Sequence, residues 1–302
     1  ISARSSVSRV AGNSPFAPSS PNPMIVNQGE SAIATRLLIL GGTTEASALA
    51  QAVHKSGLDA VFSYAGRVRK PREQPLPTRV GGFGGVDGLL AYIAAHKITH
   101  LIDATHPFAA QMSWNAAQAS AQSGVALAGL TRPAWVPQAG DNWCRAPDIE
   151  AAVAALDCPP MRIMLALGRM HLQEFAVQPQ HHYILRLVDP PDTVPMPDYS
   201  LIVDRGPFTI SSDKALIKNH KVDMIVSKNA GGTGARAKID AARELGLPLL
   251  MIDCPKTPSI PRFASPAEIL RWVSHPGKPW RINHWFGTVL NVFRARRSHD
   301  HD

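Results

Sequence analysis

A chain of 302 residues, 45% hydrophobic and 18% charged, has room for two domains of ordinary size and enough apolar material for a core in each. Its net charge of +8 gathers at the ends: residues 1–36 carry three basic and one acidic residue, residues 278–302 five and two, leaving a net +3 between Leu37 and Gly277. No basic-aromatic stripe and no apolar run near the ~18 residues of a spanning helix argue against nucleic-acid and membrane partners, and three scattered cysteines without a C-x-x-C pair suit a reducing, cytoplasmic setting.

Residues 1–35 are rich in Ser, Pro, Asn and Ala, lack periodicity and read as a disordered extension. This is either a leader of transit-peptide type or sequence upstream of a start at Met24. The organising stretch follows, RLLILGGTTEASALAQAVHKSG from Arg36 to Gly57. Leu37 to Leu40 is an unbroken apolar run, as expected of a parallel strand covered on both faces. Gly41-Gly42 allows a tight turn, and Thr43 and Thr44 stand beside the free N–H groups of a helix starting near Glu45. Such a turn attracts phosphate, because the unpaired N–H groups and the helix dipole both favour an anion. The same turn also reads as a capped strand-to-helix joint with nothing bound, since the third glycine of G-x-G-x-x-G is missing and Glu45 already complements the dipole.

Strand and helix signals then alternate. Strands are expected at Leu58–Tyr64, Thr78–Val80, Ile98–Ala104 and Val125–Leu130, with a helix after Gly81-Gly82-Phe83-Gly84-Gly85 and another starting at Thr105 as N-cap with Pro107 near its first position. The segment Pro133–Arg145 reads as a crossover. A second series has strands at Arg162–Leu167, Tyr183–Val188, Leu201–Val203, Met224–Ser227 and Pro248–Ile252, and helices at Ile149–Leu156, Ser211–His220, Ala235–Leu245 and Ala267–Val273. Repeated β-α units predict an α/β fold of two Rossmann-like lobes, each a parallel sheet flanked by helices, with a ligand cleft between them. The expected domains are 36–135 and 136–276, followed by a tail at 277–302.

The loop after the second strand carries Arg67, Arg69, Lys70 and Arg72 with no acid before Glu73. An NAD site places a carboxylate there for the ribose diol, so Ser63, Arg67 and Arg69 suit a 2′-phosphate, and a merely solvated basic loop is the competing reading. Asp103 and His106 stand at a strand end in DATHPF, where His106 is a candidate proton donor oriented by Asp103, or else a structural residue beside a turn-capping acid. Arg205 in DRGPF, then Lys228 and Asn229 ahead of a second glycine turn, Gly231-Gly232-Thr233, are candidate donors to an acidic ligand. The four tyrosines are each followed four positions later by a residue other than lysine (Val68, His96, Leu187, Val203), and H-E-x-x-H, G-x-S-x-G and a Walker lysine are absent. His181 and His182 would point to opposite faces of a strand, which argues against joint metal ligation.

GGTTEA (41–46), SYAGR (63–67), GGFGG (81–85), DATHPFA (103–109), RGPF (205–208) and SKNAGGTGARAKIDAARELGLP (227–248), in this order, resemble the precorrin-6A reductase family of cobalamin biosynthesis. The resemblance spans Arg36 to Val273. It implies NADPH as hydride donor, a tetrapyrrole precursor between the lobes, and reduction of one ring double bond. On that reading Gly41, Gly42, Thr43, Thr44, Ser63, Arg67, Arg69 and Gly82 serve the cofactor. Arg205, Lys228, Asn229, Gly231, Gly232, Thr233 and Arg236 serve the macrocycle's carboxylates, His106 and Asp103 the proton, no metal is called for, and contact with neighbouring pathway enzymes would be transient. Which lobe holds the pyrophosphate stays open, as do a transferase using S-adenosylmethionine on the same sheet and a noncatalytic NADP-sensing module.

Overall fold

The computed structural model describes residues 34–66 and 69–275, and residues 1–33 of the expected extension, the expected tail and Arg67 lie outside them. The centre of the first sheet is β1 (Arg36–Leu40), whose residues from Leu37 onward are buried because neighbours and helices cover both faces. It pairs in parallel with β2 (Asp59–Tyr64) on one side and β4 (His100–Asp103) on the other. The register opposes Leu40 to both Ser63 and Asp103, so three strands end on one rim. Outside them lie β3 (Thr78–Val80) and β5 (Ala126–Leu130).

The crossovers are α1 (Thr44–Ser56), α2 (Gly85–Ala95) and α3 (Ala110–Ser123). Helix α1 shows why the sequence folds here. Thr43 caps its N-terminus by accepting from the Ala46 amide, Gly57 closes its C-terminus at φ 70°, and Ala46, Leu49, Ala50 and Val53 form the buried stripe between.

The second sheet holds β6 (Trp143–Ala146), β7 (Arg162–Ala166), β8 (His182–Leu187), β9 (Tyr199–Val203), β10 (Met224–Lys228) and β11 (Leu249–Ile252), all parallel, in the order β6-β11-β10-β7-β8-β9. Its helices are α4 (Ile149–Ala154), α5 (Leu172–Phe175), α6 (Ile210–Asn219) and α7 (Ala237–Glu244).

Two features depart from the sequence reading. Trp143–Ala146, expected within a crossover, is an edge strand, and its short, half-exposed run carries no apolar signature. After β11 the chain also leaves the second sheet: β12 (Arg262–Phe263) pairs with β5, and α8 (Pro266–Ser274) lays Ile269 and Val273 into the core around Leu49 and Val53. Residues 262–274 therefore belong to the first sheet, not to a C-terminal domain running to 276. Sequence placed a helix at Ala267–Val273, and the structure adds the capping box of Ser265 and Glu268 at its start, but a helical stripe does not say which sheet it covers.

Candidate functional site

The rim of the first sheet is more committed to its own architecture than the sequence suggests. A Cβ on Gly41 would lie 2.0 Å from the Phe62 ring, so packing alone demands glycine there, whereas Gly42 at φ +124° faces open space. The Thr43 hydroxyl accepts from Ala46 N and donates to Ala104 O, both at 3.0 Å, and so acts as a cap. Thr44 opens α1 close to Gly234, where a Cβ would come within 3.2 Å of its hydroxyl oxygen. In the same turn Glu45 forms an ion pair with Arg132. The Arg132 Nε donates to Ala230 O at 2.6 Å, which joins the start of α1 to the turn after β10.

Asp103 is buried at the end of β4 and turned away from the role expected of it. One carboxylate oxygen accepts from the Thr105 amide (3.1 Å) and hydroxyl (2.7 Å), and the other from the Ser113 hydroxyl (2.6 Å). These bonds fold residues 105–109 into a separate turn, so α3 begins at Ala110 and Thr105 is not its cap. Asp103 thus shapes the loop and does not orient the His106 ring. His106 Nδ1 accepts from the Phe108 amide at 3.2 Å, leaving Nε2 to carry the proton of the neutral ring. Burial, reinforced by the charges of Arg132, Lys228 and Lys238, depresses the His106 pKa to about 4. Near neutral pH the ring is therefore uncharged, with Nε2–H as its hydrogen-bond donor.

His106 lines two adjoining cavities. The smaller, about 200 Å³, lies at the rim among Thr43, Glu45, Thr105, Arg132 and Arg262. The larger, about 470 Å³, lies over the second sheet, with Trp135, Leu167 and Phe208 supplying apolar wall and Arg186, Lys228 and Lys238 supplying cations. Arg186 is stacked on the Phe208 ring at 3.9 Å and ion-paired with Asp213. Lys228 Nζ sits 5.0 Å from the Phe108 ring centre, and burial pushes its pKa down to about 8. Lys238, in the first turn of α7, donates from Nζ to Ala235 O at 2.7 Å and lies 5.1 Å from the Trp135 ring centre.

Several candidates also fasten the fold. Asn229, which lines the smaller cavity, gives its amide oxygen to the Trp135 backbone N–H (2.8 Å) and donates to the Trp135 carbonyl (3.0 Å), so both polar ends of the side chain pin the linker between the sheets. Gly231 and Gly232, at φ 65° and 72°, lie where a Cβ would come within 2.2 Å of Pro133 O and 2.5 Å of the Arg132 side chain. The close approach of the linker alone requires glycine at both positions. Thr233 and Arg236 line neither cavity, and Arg236 pairs with Asp240 on its own helix at 3.2 Å.

Across the cleft, Arg69 bonds Asp192 at 2.6 Å and, through its amide, Asp189 at 3.0 Å, while Arg205 donates to Lys70 O at 3.0 Å. Arg69 and Arg205 therefore tie loops of the two sheets together.

The sequence reading missed the cation that does occupy the end of β2. Arg79 Nη1 donates to the Ser63 hydroxyl and to Gly81 O, both at 2.8 Å, Nη2 to Gly82 O at 3.1 Å, and the guanidinium lies 3.9 Å from the Phe83 ring centre. Its signal was a lone arginine in a three-residue strand running into GGFGG. Arg132, Arg186 and Lys238 were also passed over, since each lies in a segment whose neighbours in space come from distant sequence. His181 is buried and structural, accepting from the Met161 amide, and among the described residues no cluster of His, Cys, Asp and Glu is arranged to hold a metal.

The family model described as precorrin-6x reductase CbiJ/CobK matches residues 36–274. The chain belongs to this family. Among relatives, it is 53% identical over 244 residues to a precorrin-6A reductase of Rhodobacter capsulatus, covering 80% of this chain and 97% of that one. It is 44% identical to a precorrin-6A reductase of Sinorhizobium, over 80% and 93% of the two chains, and 30% identical to a cobalt-precorrin-6A reductase of Priestia megaterium, over 73% and 91%. A solved structure described as CobK precorrin-6A reductase superposes with a TM-score of 0.78 at 53% identity, covering 82% of this chain and 99% of that one. The CbiJ/CobK match runs from the first residue of β1 to the last of α8, so the return of β12 and α8 to the first sheet falls within the family's span.

Proposed function

We propose that this protein reduces one ring double bond of precorrin-6A with NADPH, as a step of cobalamin biosynthesis. The observation that carries the reading is the junction at His106 of a small polar cavity on the first sheet's rim with a larger cavity that combines apolar walls and three buried or half-buried cations. A tetrapyrrole precursor is a broad apolar ring edged with acetate and propionate groups, and Arg186, Lys228 and Lys238 suit such a polyanion. The identities to precorrin-6A reductases, above that to a cobalt-precorrin-6A reductase, favour the metal-free substrate.

The residues present fit a dinucleotide. Gly42 opens onto free space at the N-terminus of α1, and Arg79 stands at the end of β2, where a carboxylate would favour the unphosphorylated ribose. When bound, NADPH supplies the hydride. Arg79 would hold the 2′-phosphate beside Ser63, and the amides at the start of α1 would meet the pyrophosphate. Arg132 offsets the negative charge that Glu45 places in the same turn. Neutral His106, at the boundary of the two cavities, donates a hydrogen bond through Nε2 without adding charge. Binding energy from the macrocycle's carboxylates positions the ring, which is most of what a hydride transfer asks of the protein. The three cysteines are unpaired, as suits a reducing cytoplasm.

Loss of NADPH absorbance on adding precorrin-6A, with NADPH bound more tightly than NADH, is the expected result. Equal dissociation constants for the two nucleotides would remove the 2′-phosphate argument. Tight binding of S-adenosylmethionine without that of NADPH would favour a transferase, and NADPH binding without oxidation would leave a sensing module.

A further inference from the structure

We propose that Lys238 is the catalytic acid that delivers the proton accompanying hydride transfer. This rests on the reductase reading above. Saturating a ring double bond adds a hydride to one carbon and a proton to its neighbour. Both electrons come with the NADPH hydride, and the proton comes from a group on the protein whose N–H bond breaks as the new C–H bond forms. Transfer from Lys238 leaves a neutral amine, which regains its proton from solvent after each turnover.

The alternatives in the two cavities are poorer acids. His106 holds no extra proton near neutral pH, and its remaining N–H belongs to a neutral ring. Arg132, Arg186 and Arg262 are guanidinium groups, which keep their protons. Asp103 is an acceptor of three hydrogen bonds. Lys228 ends β10 half-buried, over the Phe108 ring.

Lys238 differs from Lys228 in its surroundings. It is 5% exposed, lines the larger cavity, and donates to a single backbone carbonyl, that of Ala235, which leaves N–H bonds of its ammonium free to face the cavity. Its place in the first turn of an eight-residue helix sets the ammonium near the positive end of the dipole, which favours losing the charge.

The charged groups around it act in the same sense on balance. Arg186 from β8 and Arg132 from the linker repel the ammonium, Asp213 from α6 attracts it but is already paired with Arg186, and Lys228 and His106 line the same cavity. Burial is the largest influence, and together these lower the Lys238 pKa to about 7, where an acid is both charged and willing to give its proton up. Carboxylates of the bound macrocycle would hold the lysine charged until transfer.

The test compares kcat against pH for the unaltered enzyme, Lys238→Gln and Lys238→Arg, with precorrin-6A and NADPH, alongside absorbance titrations of both ligands. The unaltered enzyme should lose kcat as pH rises past the lysine's pKa. Lys238→Gln should lower kcat about 10²–10⁴-fold and abolish that falling limb, since this is the range a general acid contributes. Lys238→Arg preserves the charge but cannot release the proton. It should bind the macrocycle within about threefold of the unaltered enzyme, yet fail to restore kcat, which separates an acid from a mere carboxylate anchor. A Lys238→Gln profile that retains the falling limb, or a Lys238→Arg variant with near-normal kcat, overturns the assignment while leaving the reductase reading intact. No NADPH oxidation by the unaltered protein would overturn both.

Discussion

Replacing Asp213 by Ala should destabilise the protein severely. The Asp213 and Arg186 side chains are 1% and 7% exposed, and they are partners in an ion pair beneath the larger cavity. Losing the carboxylate strands a guanidinium in a site it already shares with Lys238, against the Phe208 ring. Breaking a buried pair from one side costs about 3–5 kcal/mol, because the remaining charge keeps its desolvation penalty without compensation. At roughly 2–4 °C per kcal/mol for a chain of this size, the melting temperature should fall by about 6–20 °C. Calorimetry or thermal circular dichroism reads this directly. The double variant Arg186→Met/Asp213→Leu should melt closer to the unaltered protein than Asp213→Ala does, since it removes both charges and fills the volume. A single variant within about 2 °C of the unaltered protein, or a double variant less stable than the single, would refute the reasoning. The same carboxylate favours the charged form of Lys238, so a folded Asp213→Ala enzyme should lose activity at a lower pH than the unaltered one.

Gly41→Ala forces a methyl group into the Phe62 ring and should cost about 1–3 kcal/mol in a urea melt; no loss would mean that the strand end yields more readily than its packing suggests. Arg79→Met should weaken NADPH binding about 10–100-fold in a fluorescence titration and affect NADH much less, since one charge-assisted bond to the 2′-phosphate contributes about 1.5–3 kcal/mol. His106 titrates near its ordinary 6.5 when unfolded but at about 4 in the folded protein, so the unfolded chain binds the extra proton first and stability falls as pH drops between those values. At about 1.4 kcal/mol per unit this amounts to about 3 kcal/mol, and His106→Asn should flatten that part of the pH–stability curve measured by urea melts.

What the residues disclosed in advance follows from what each kind of signal encodes. The strand at Leu37–Leu40, the Thr43 cap and the stripe of α1 were legible because they depend on residues close in sequence. Edge strands β6 and β12 were not, since short half-exposed strands carry no apolar pattern, and β12 has two residues. The site divided along the same line. His106 was singled out from its strand-end position, whereas the contacts of Asn229 and the Gly231-Gly232 turn with Trp135, Pro133 and Arg132, about a hundred residues earlier in the chain, leave no local signal. Lys238 reads as one more cation in a polar helix until folding sets it behind Trp135 and beside Arg186.

The return of residues 262–274 to the first sheet has a consequence for biosynthesis. As the ribosome releases the chain from its amino end, the earliest sheet emerges with one flank of its core bare, because Ile269 and Val273, which cover Leu49 and Val53, are made more than two hundred residues later. That flank stays uncovered while the second sheet is translated. A chain ending after β11 would lack that cover and leave an apolar face of the first sheet open to water.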